Sequence, residues 1–256
     1  MLLQAQISGS GRKEHPNVNS PVGSGEGKSS WYIPCKVVLE FLAAACLLVL
    51  TAPVVLLSAL LIKLTSRGPA IYVQTRLGRY GRHYRIYKLR TMTHNCESKS
   101  GPRWATVNDP RITRLGRFLR ATHLDELPQL WNVLKGDMSL VGPRPERPEF
   151  VPALERAMPH YRQRLLVRPG VTGLAQIQLP ADTDLESVRR KLAYDLFYVR
   201  QVGFWLDLRI IAGTAFKMIG TPFPFLRKLF WMPSVEVIED AYRNLPARRV
   251  VQAQPA

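Results

Sequence analysis

The sequence predicts a small mixed α/β domain of short strands and amphipathic helices, held at a membrane by an N-terminal apolar segment. Three observations lead there. Val37 to Ile62 is a run of 26 residues in which Glu40 is the only charge. From Pro69 onward, short strand patterns and helical patterns follow one another without an internal repeat. The charge is strongly basic and unevenly placed: 36 Lys and Arg stand against 19 Asp and Glu, for a net +17. Between Lys63 and Arg120 there are 14 basic residues and two acids, Glu97 and Asp109, which is +12 of that total. An excess of this size selects anionic partners such as nucleic acid, phosphates or an acidic membrane surface.

Residues 1–30 are rich in Gly, Ser and Asn and lack apolar periodicity, so they read as a disordered tail. With no apolar run at the very start, a cleaved signal peptide is not expected. Residues 31–67 form the anchor. The apolar run exceeds the roughly 20 residues a membrane helix needs. Trp31, Tyr32 and Lys36 before it, and Lys63 and Arg67 after it, suit the two headgroup levels. A buried core helix is the alternative, but core helices seldom run so long without polar residues. Pro53 should kink or break the helix. Two shapes follow: a straight span, with the tail across the membrane from the basic domain, or a re-entrant hairpin bent at Pro53. Lysines at both ends favour the hairpin under the positive-inside tendency.

Residues 68–220 make up the soluble-type domain. Ala70 to Gln74 and Tyr84 to Leu89 have strand composition, with a turn signalled by Gly78 and Gly81. Ile112 to Leu119 predicts a short amphipathic helix. The next helix starts near Asp125, because Pro128 is tolerated only in a first turn. Leu127, Leu130, Trp131 and Leu134 recur at i, i+3, i+4 and i+7 and predict its buried face, and Gly136 its stop. Glu149 to Met158 reads as helix, Arg168 to Gly173 as a turn and Leu174 to Leu179 as a strand. Leu185 to Val202 and Trp205 to Ile219 read as helices. In residues 221–256, four aromatics between Pro222 and Met232 surround Arg227 and Lys228. They fit either a membrane headgroup layer or a hydrophobic plug on the core.

Cys35, Cys46 and Cys96 have no paired spacing, which points to a reducing compartment without a disulfide framework. No Cys or His pair has zinc-ligand spacing.

Asp125 and Glu126 are the candidate chemistry. At a helix start their ionised form is favoured, and neighbouring helical residues point about 100° apart, so the two acids divide their roles. Acting merely as cap and first-turn acid is the bland alternative. Their company weighs against it: Arg120 lies upstream, Arg144 stands between two prolines, and Arg168 precedes Pro169. Rigidly held guanidiniums suit bidentate phosphate recognition. Acids beside several of them point to a phosphorylated substrate carrying Mg²⁺. The basic stretch from Arg76 to Arg90 interleaves Tyr80, Tyr84 and Tyr87, as a nucleic-acid surface does. A diphosphate site, a solvated face and anionic lipid, worth about 1 kcal/mol per basic residue, compete with that reading. Proximity to the anchor favours lipid, and nucleic acid is not the expected partner.

Four segments carry a resemblance. Lys88-Leu-Arg-Thr-Met92, Asp125-Glu-Leu-Pro-Gln-Leu-Trp-Asn-Val-Leu-Lys-Gly-Asp-Met-Ser-Leu-Val-Gly-Pro-Arg-Pro145, Arg168-Pro-Gly-Val-Thr-Gly-Leu-Ala-Gln176 and Tyr194-Asp-Leu-Phe-Tyr-Val199 resemble successive motifs of the monotopic polyprenyl-phosphate phosphoglycosyl transferases, the bacterial sugar-transferase family. The resemblance runs from about Lys36 to Lys217. It implies transfer of a sugar 1-phosphate from a nucleoside diphosphate sugar, usually a UDP-sugar, to polyprenyl phosphate with release of UMP, at the cytoplasmic face of the plasma membrane. It implies Asp125 as the attacking carboxylate, Mg²⁺ near Asp125 and Glu126, and Arg120 on phosphate. Lys88, Arg90, Arg144, Arg168, Gln176 and Asp195 match motif positions near the active site. It also implies a hairpin bent at a Ser-Pro pair, where this chain has Ala52-Pro53 and would need another hydroxyl, such as that of Thr51. His123 replaces a frequent Ser or Thr and reads as tolerated variation.

Two rivals follow: a non-enzymatic module docked on anionic lipid, and an enzyme in which Asp125 only binds metal while transfer is direct. Gln178 to Val188 lies between motifs and is placed to line a sugar pocket, without indicating which sugar. Self-association as a homodimer stays open.

Overall fold

The computed structural model describes residues 31–98, 101, 106, 109–180 and 184–246. The tail 1–30, the end 247–256 and part of the sugar-pocket segment, 181–183, lie outside these residues.

Helix α1 (Tyr32–Thr65) is one element of 34 residues, about 51 Å long at 1.5 Å per residue. Lys36, Glu40, Ala44, Leu48, Val55, Ala59 and Ile62 form the stripe that faces the domain, a spacing that repeats on one helical face. The rest of its surface is apolar and open, including Val49, Leu50, Leu56 and Leu64. A core helix would be wrapped on all sides, so that alternative is overturned. Among the described residues α1 is the one helix long and apolar enough to cross a membrane.

The helix runs through Pro53 without the break a hairpin calls for. Pro53 has no N–H to give to the carbonyl of Val49. Thr51 Oγ1 donates to Leu47 O at 2.7 Å, which is not the carbonyl that Pro53 leaves. Both ends of α1 rest on the same domain. Tyr32 and Lys36 bond to Asp207, and Ile62 packs with Leu89 and Leu119.

Strands β1 (Ile71–Leu77) and β2 (His83–Leu89) form an antiparallel hairpin with Ile71 opposite Leu89 and Leu77 opposite His83. Its turn uses Tyr80 and Gly81 at positive φ. Tyr84, Ile86 and Lys88 share one face of β2. The first two enter the core with Leu130 and Val133. The third, at the strand end, is thereby aimed at the acids.

Helix α2 (Arg114–Ala121) is capped by Thr113, which accepts from Gly116 N–H. Next come a 3-10 turn (Leu124–Glu126) and α3 (Gln129–Leu134). Buried Asn132 pins α3 to β2: its Oδ1 accepts from Tyr87 N–H at 3.1 Å and its Nδ2 donates to Arg85 O at 2.7 Å. Trp131 departs from the predicted buried face and is 51 % exposed. The 3-10 turn winds more tightly than an α-helix, which shifts the face that α3 presents to the core toward Gln129, Leu130, Asn132 and Val133.

Strand β3 (Ser139–Val141) pairs in parallel with β4 (Gly170–Thr172). Between them in sequence lie α4 (Val151–Ala157) and a 3-10 helix (Tyr161–Leu166). A Cβ on Gly142 would lie 2.4 Å from Arg168 O, and one on Gly170 would lie 2.1 Å from Gly142 N. Glycine at both places lets the Gly-Pro-Arg-Pro and Arg-Pro-Gly segments lie side by side. The strand predicted at Leu174–Leu179 is instead α5 (Leu174–Gln178). Pairing shifts to the preceding glycine-flanked residues, and Leu174, Ala175 and Ile177 bury as a short helical face.

Helices α6 (Leu185–Gln201) and α7 (Phe204–Met218) close the core. Beyond them the chain adds α8 (Phe223–Leu229) and α9 (Val235–Arg243), the latter not anticipated from sequence. The plug reading of this end holds for Leu226 and Met232, which are buried.

Candidate active site

The chain reaches the acids through His123, which adopts a left-handed φ of 56°. Such a backbone costs a non-glycine residue about 1–3 kcal/mol and is a feature of functional turns. The 3-10 turn then sets Asp125 and Glu126 in quite different surroundings. Lys88 Nζ donates to Glu126 Oε1 at 2.6 Å, and Arg144 Nη2 donates to the same oxygen at 2.8 Å. Burial works against the Glu126 charge, but Arg144 and Lys88 outweigh it and hold its carboxyl well below the usual range. Glu126 is a committed, neutralised anion.

Asp125 is only 7 % exposed, yet it accepts no hydrogen bond from the described residues. Burial first, and the charge of Glu126 second, push its carboxyl up against the opposing pull of Lys88, Arg120 and Arg144. This corrects the expectation that a helix start stabilises its anion. The residue sits in a 3-10 turn ahead of a short helix, and desolvation dominates. A buried carboxylate with a raised pKa and no hydrogen-bond partner is more basic and more nucleophilic than a surface one. The two adjacent acids are therefore shifted in opposite directions, Asp125 up and Glu126 down.

Arginines complete the surroundings. Arg120, in the last turn of α2, donates from Nε to Thr91 Oγ1 at 2.8 Å, and its charge acts on Asp125. Burial, reinforced by Arg144, lowers the Lys88 pKa against the pull of Glu126. Arg144 is fixed from behind. Buried Arg164 donates from Nη2 to Arg144 O at 2.8 Å and to Asp195 Oδ2 at 2.6 Å. Its Nε bonds the same Asp195 oxygen at 3.0 Å, and its Nη1 donates to Tyr161 OH at 2.8 Å. Asp195 thus stands behind the site rather than in it, and Arg164 is a positioning residue that sequence reasoning missed. Among Arg162, Arg164 and Arg168, nothing in the pattern marks the buried one.

Three more predicted residues make no hydrogen bond or ion pair with Asp125 or Glu126 among the described residues. Arg168 is half-buried beside Gly136 and has no hydrogen-bond or ion-pair partner among the described residues. Gln176 donates from Nε2 to Val171 O at 2.9 Å, while its Oε1 is buried with no hydrogen-bond partner among the described residues. Arg90 turns to the anchor, donating from Nη2 to Ser66 O at 2.9 Å and to Ser66 Oγ at 2.7 Å. It caps the carboxyl end of α1, a favoured place for a cation.

A buried polar network that the sequence did not announce joins α1 to β3. Lys36 Nζ contacts Glu40, Asp207, Tyr198 OH and Val141 O. Glu40 accepts from Ser139 Oγ and Val141 N–H. Gly142-Pro143-Arg144 follows at once, so the anchor is bonded to the strand that presents Arg144.

Among the described residues no group of three or more metal-ligating side chains forms. The candidate ligands are the adjacent carboxylates of Asp125 and Glu126; Glu126 Oε1 is occupied by Lys88 and Arg144, so a Mg²⁺ here would rest mainly on Asp125 and draw its further ligands from phosphates.

Comparison with known proteins fits this arrangement. The family profile described as Bacterial sugar transferase matches residues 31–221. The chain belongs to the bacterial sugar transferase family. Among sugar transferases it resembles the UDP-glucose:undecaprenyl-phosphate glucose-1-phosphate transferase of Caulobacter vibrioides, 46 % identical over 188 residues, which are 73 % of this chain and 70 % of that protein. It is 43 % identical over 183 residues to the UDP-N-acetylgalactosamine-undecaprenyl-phosphate N-acetylgalactosaminephosphotransferase of Aeromonas hydrophila, covering 72 % of this chain and 42 % of that protein. The exopolysaccharide production protein PSS of Rhizobium leguminosarum bv. phaseoli matches at 46 % over 179 residues, 68 % of this chain and 89 % of that protein. The chain thus spans less than half the length of some of the curated relatives it matches. All the predicted site residues lie inside the matched range.

Proposed function

We propose that this chain transfers a sugar 1-phosphate from a UDP-sugar to polyprenyl phosphate, undecaprenyl phosphate in the relatives, releasing UMP. This would start lipid-linked glycan or exopolysaccharide assembly at the cytoplasmic face of the plasma membrane. The observation that carries the reading is the asymmetry of the acids: Glu126 is tied to Lys88 and Arg144, while Asp125 is buried and its carboxylate accepts no hydrogen bond from the described residues.

In this reading an Asp125 oxygen attacks the sugar-proximal phosphorus. The bond from that phosphorus to the oxygen of UMP breaks, and UMP leaves with the electron pair. An oxygen of polyprenyl phosphate then attacks the same phosphorus, the Asp125–phosphorus bond breaks, and the carboxylate is regenerated. Arg120 and Arg144 balance the negative charge gathered around the phosphoryl group. Glu126, already neutralised, adds little repulsion toward the incoming diphosphate. Asp125 and Glu126 would hold Mg²⁺, which when bound supplies charge neutralisation on the phosphate oxygens. Lys88 and Arg144 keep Glu126 in place throughout.

The membrane role of α1 supports access to a lipid acceptor. Its open apolar surface suits a bilayer, and contact of both its ends with one domain favours a placement that keeps both ends on one side, as an unbroken helix rather than a hairpin bent at Pro53. The test is a donor panel: protein in detergent with Mg²⁺, polyprenyl phosphate and radiolabelled UDP-sugars. Labelled lipid with at least one donor, lost in Asp125→Asn, is expected. No lipid product from any donor counts against the enzyme reading.

A further inference from the structure

We propose that the segment carrying α8 and the turn after it is a second membrane-docking element, which lays Phe225, Leu229 and Trp231 into an anionic phospholipid surface. The segment lies beyond the family profile's match, which ends at 221. Its sequence admitted two roles, plug or interfacial element. The structure divides them between two faces: Leu226 is fully buried and Met232 is buried in the core with Ile210 and Tyr194, while Phe225, Leu229 and Trp231 point away. Trp231 is 79 % exposed and holds a left-handed φ of 45°. A bulky aromatic pays for that conformation. Here it turns the indole outward between half-buried Phe230 and buried Met232.

The occupant follows from what adjoins this face. The exposed residues of α7 are Phe204, Trp205, Leu208, Ile211, Ala215, Phe216, Lys217 and Met218, a nearly unbroken apolar surface where a helix in water carries charges. At one end, Phe204 meets Tyr32 of α1 at 6.2 Å between ring centroids and Trp205 at 5.2 Å. At the other, Phe216 meets Phe230 at 5.5 Å. The apolar surface of the anchor therefore continues across α7 to Trp231. Within Pro222 to Met232, Arg227 and Lys228 are the only charges, and Arg209 Nη1 approaches Trp231 O at 3.4 Å. Aromatics rimmed by cations suit the headgroup layer of an anionic leaflet. The proposal rests on reading α1 as a membrane anchor, and not on the transferase chemistry.

The test places the full chain in nanodiscs of phosphatidylcholine and phosphatidylglycerol, with or without brominated acyl chains, and compares wild type with Trp231→Phe. The difference between the two isolates the Trp231 emission. That component is expected to be quenched by bromolipid, shielded from aqueous acrylamide, and less quenched in Arg227→Glu/Lys228→Glu. Quenching by acrylamide but not by bromolipid means the face is open to water and overturns the proposal. Protection from both means protein, such as a second copy, covers it, and overturns the proposal as well. A chain that never enters the nanodisc overturns the anchor reading and this one with it.

Discussion

Arg164→Met separates support of the site from support of the fold. The guanidinium is buried and holds Asp195 Oδ2 through two nitrogens, at 2.6 and 3.0 Å, while the same Nη2 holds Arg144 O at 2.8 Å. Removing it takes the ion-pair partner from the buried Asp195 carboxylate, which costs about 3–5 kcal/mol. For a chain of this size 1 kcal/mol shifts Tm by about 2–4 °C, so a fall of about 6–20 °C is expected. The double variant Arg164→Met/Asp195→Leu removes both charges and should return close to the wild-type Tm, since apolar replacement of a buried pair is often neutral or stabilising. It does not return the donor to Arg144 O. Small misplacements of a catalytic group cost up to about 10²-fold, so kcat of the double variant should stay about 10–100-fold low while KM for the donor moves less. Thermal unfolding in detergent and steady-state kinetics read the two effects separately. Recovery of kcat along with Tm would refute a positioning role, and a loss below about 1 kcal/mol in the single variant would refute the buried pair.

Other expectations follow from the same geometry. Because the folded-state pKa of Asp125 is raised, its ionised form costs stability that sets in as pH rises past the ordinary unfolded value near 3.9 and is complete once pH passes the raised folded-state value. Asp125→Asn should therefore raise Tm while abolishing lipid product. The acid limb of kcat/KM should lie above the pH at which an ordinary aspartate titrates. In Arg144→Gln it should move to higher pH, because Arg144 is one of the charges that lowers Asp125; an unmoved limb assigns that ionisation elsewhere. Gly142→Ala drives a Cβ to 2.4 Å from Arg168 O and 2.8 Å from Gly170 N. Backbone cannot yield cheaply, so a loss of about 1–3 kcal/mol and of turnover is expected from denaturant titration and assay.

What was legible in the sequence was what depends on local chemistry. A long N-terminal helix with an open apolar surface was readable because 26 nearly uncharged residues leave few other fates, though its unbroken path through Pro53 was not. The hairpin, α2, α6 and α7 were readable from period and turn residues, and Arg120 and Arg144 from their places in motifs. The misreadings arose where packing, rather than periodicity or composition, decided the outcome. Leu174 to Leu179 has strand composition, but the pairing of β3 went to Gly170–Thr172, where glycines allow the backbones to close. Trp131 fits a helical stripe, but the 3-10 turn before α3 rotates it outward. The pull of a helix start on Asp125 is a local effect, and burial beside Glu126 overrides it. Arg164 and the Lys36–Asp207 network join residues 31 and 171 positions apart, a relation that periodicity does not carry.

The covalent step is the central claim, and peptide mass spectrometry tests it most directly. Protein incubated with the accepted UDP-sugar and Mg²⁺, without lipid acceptor, is quenched in acid and digested. The peptide containing Asp125 should gain the mass of one sugar phosphate, lose it when polyprenyl phosphate is added before the quench, and gain nothing in Asp125→Asn. Lipid-linked product formed at full rate with no adduct on that peptide at any quench time, or by Asp125→Asn, would contradict it.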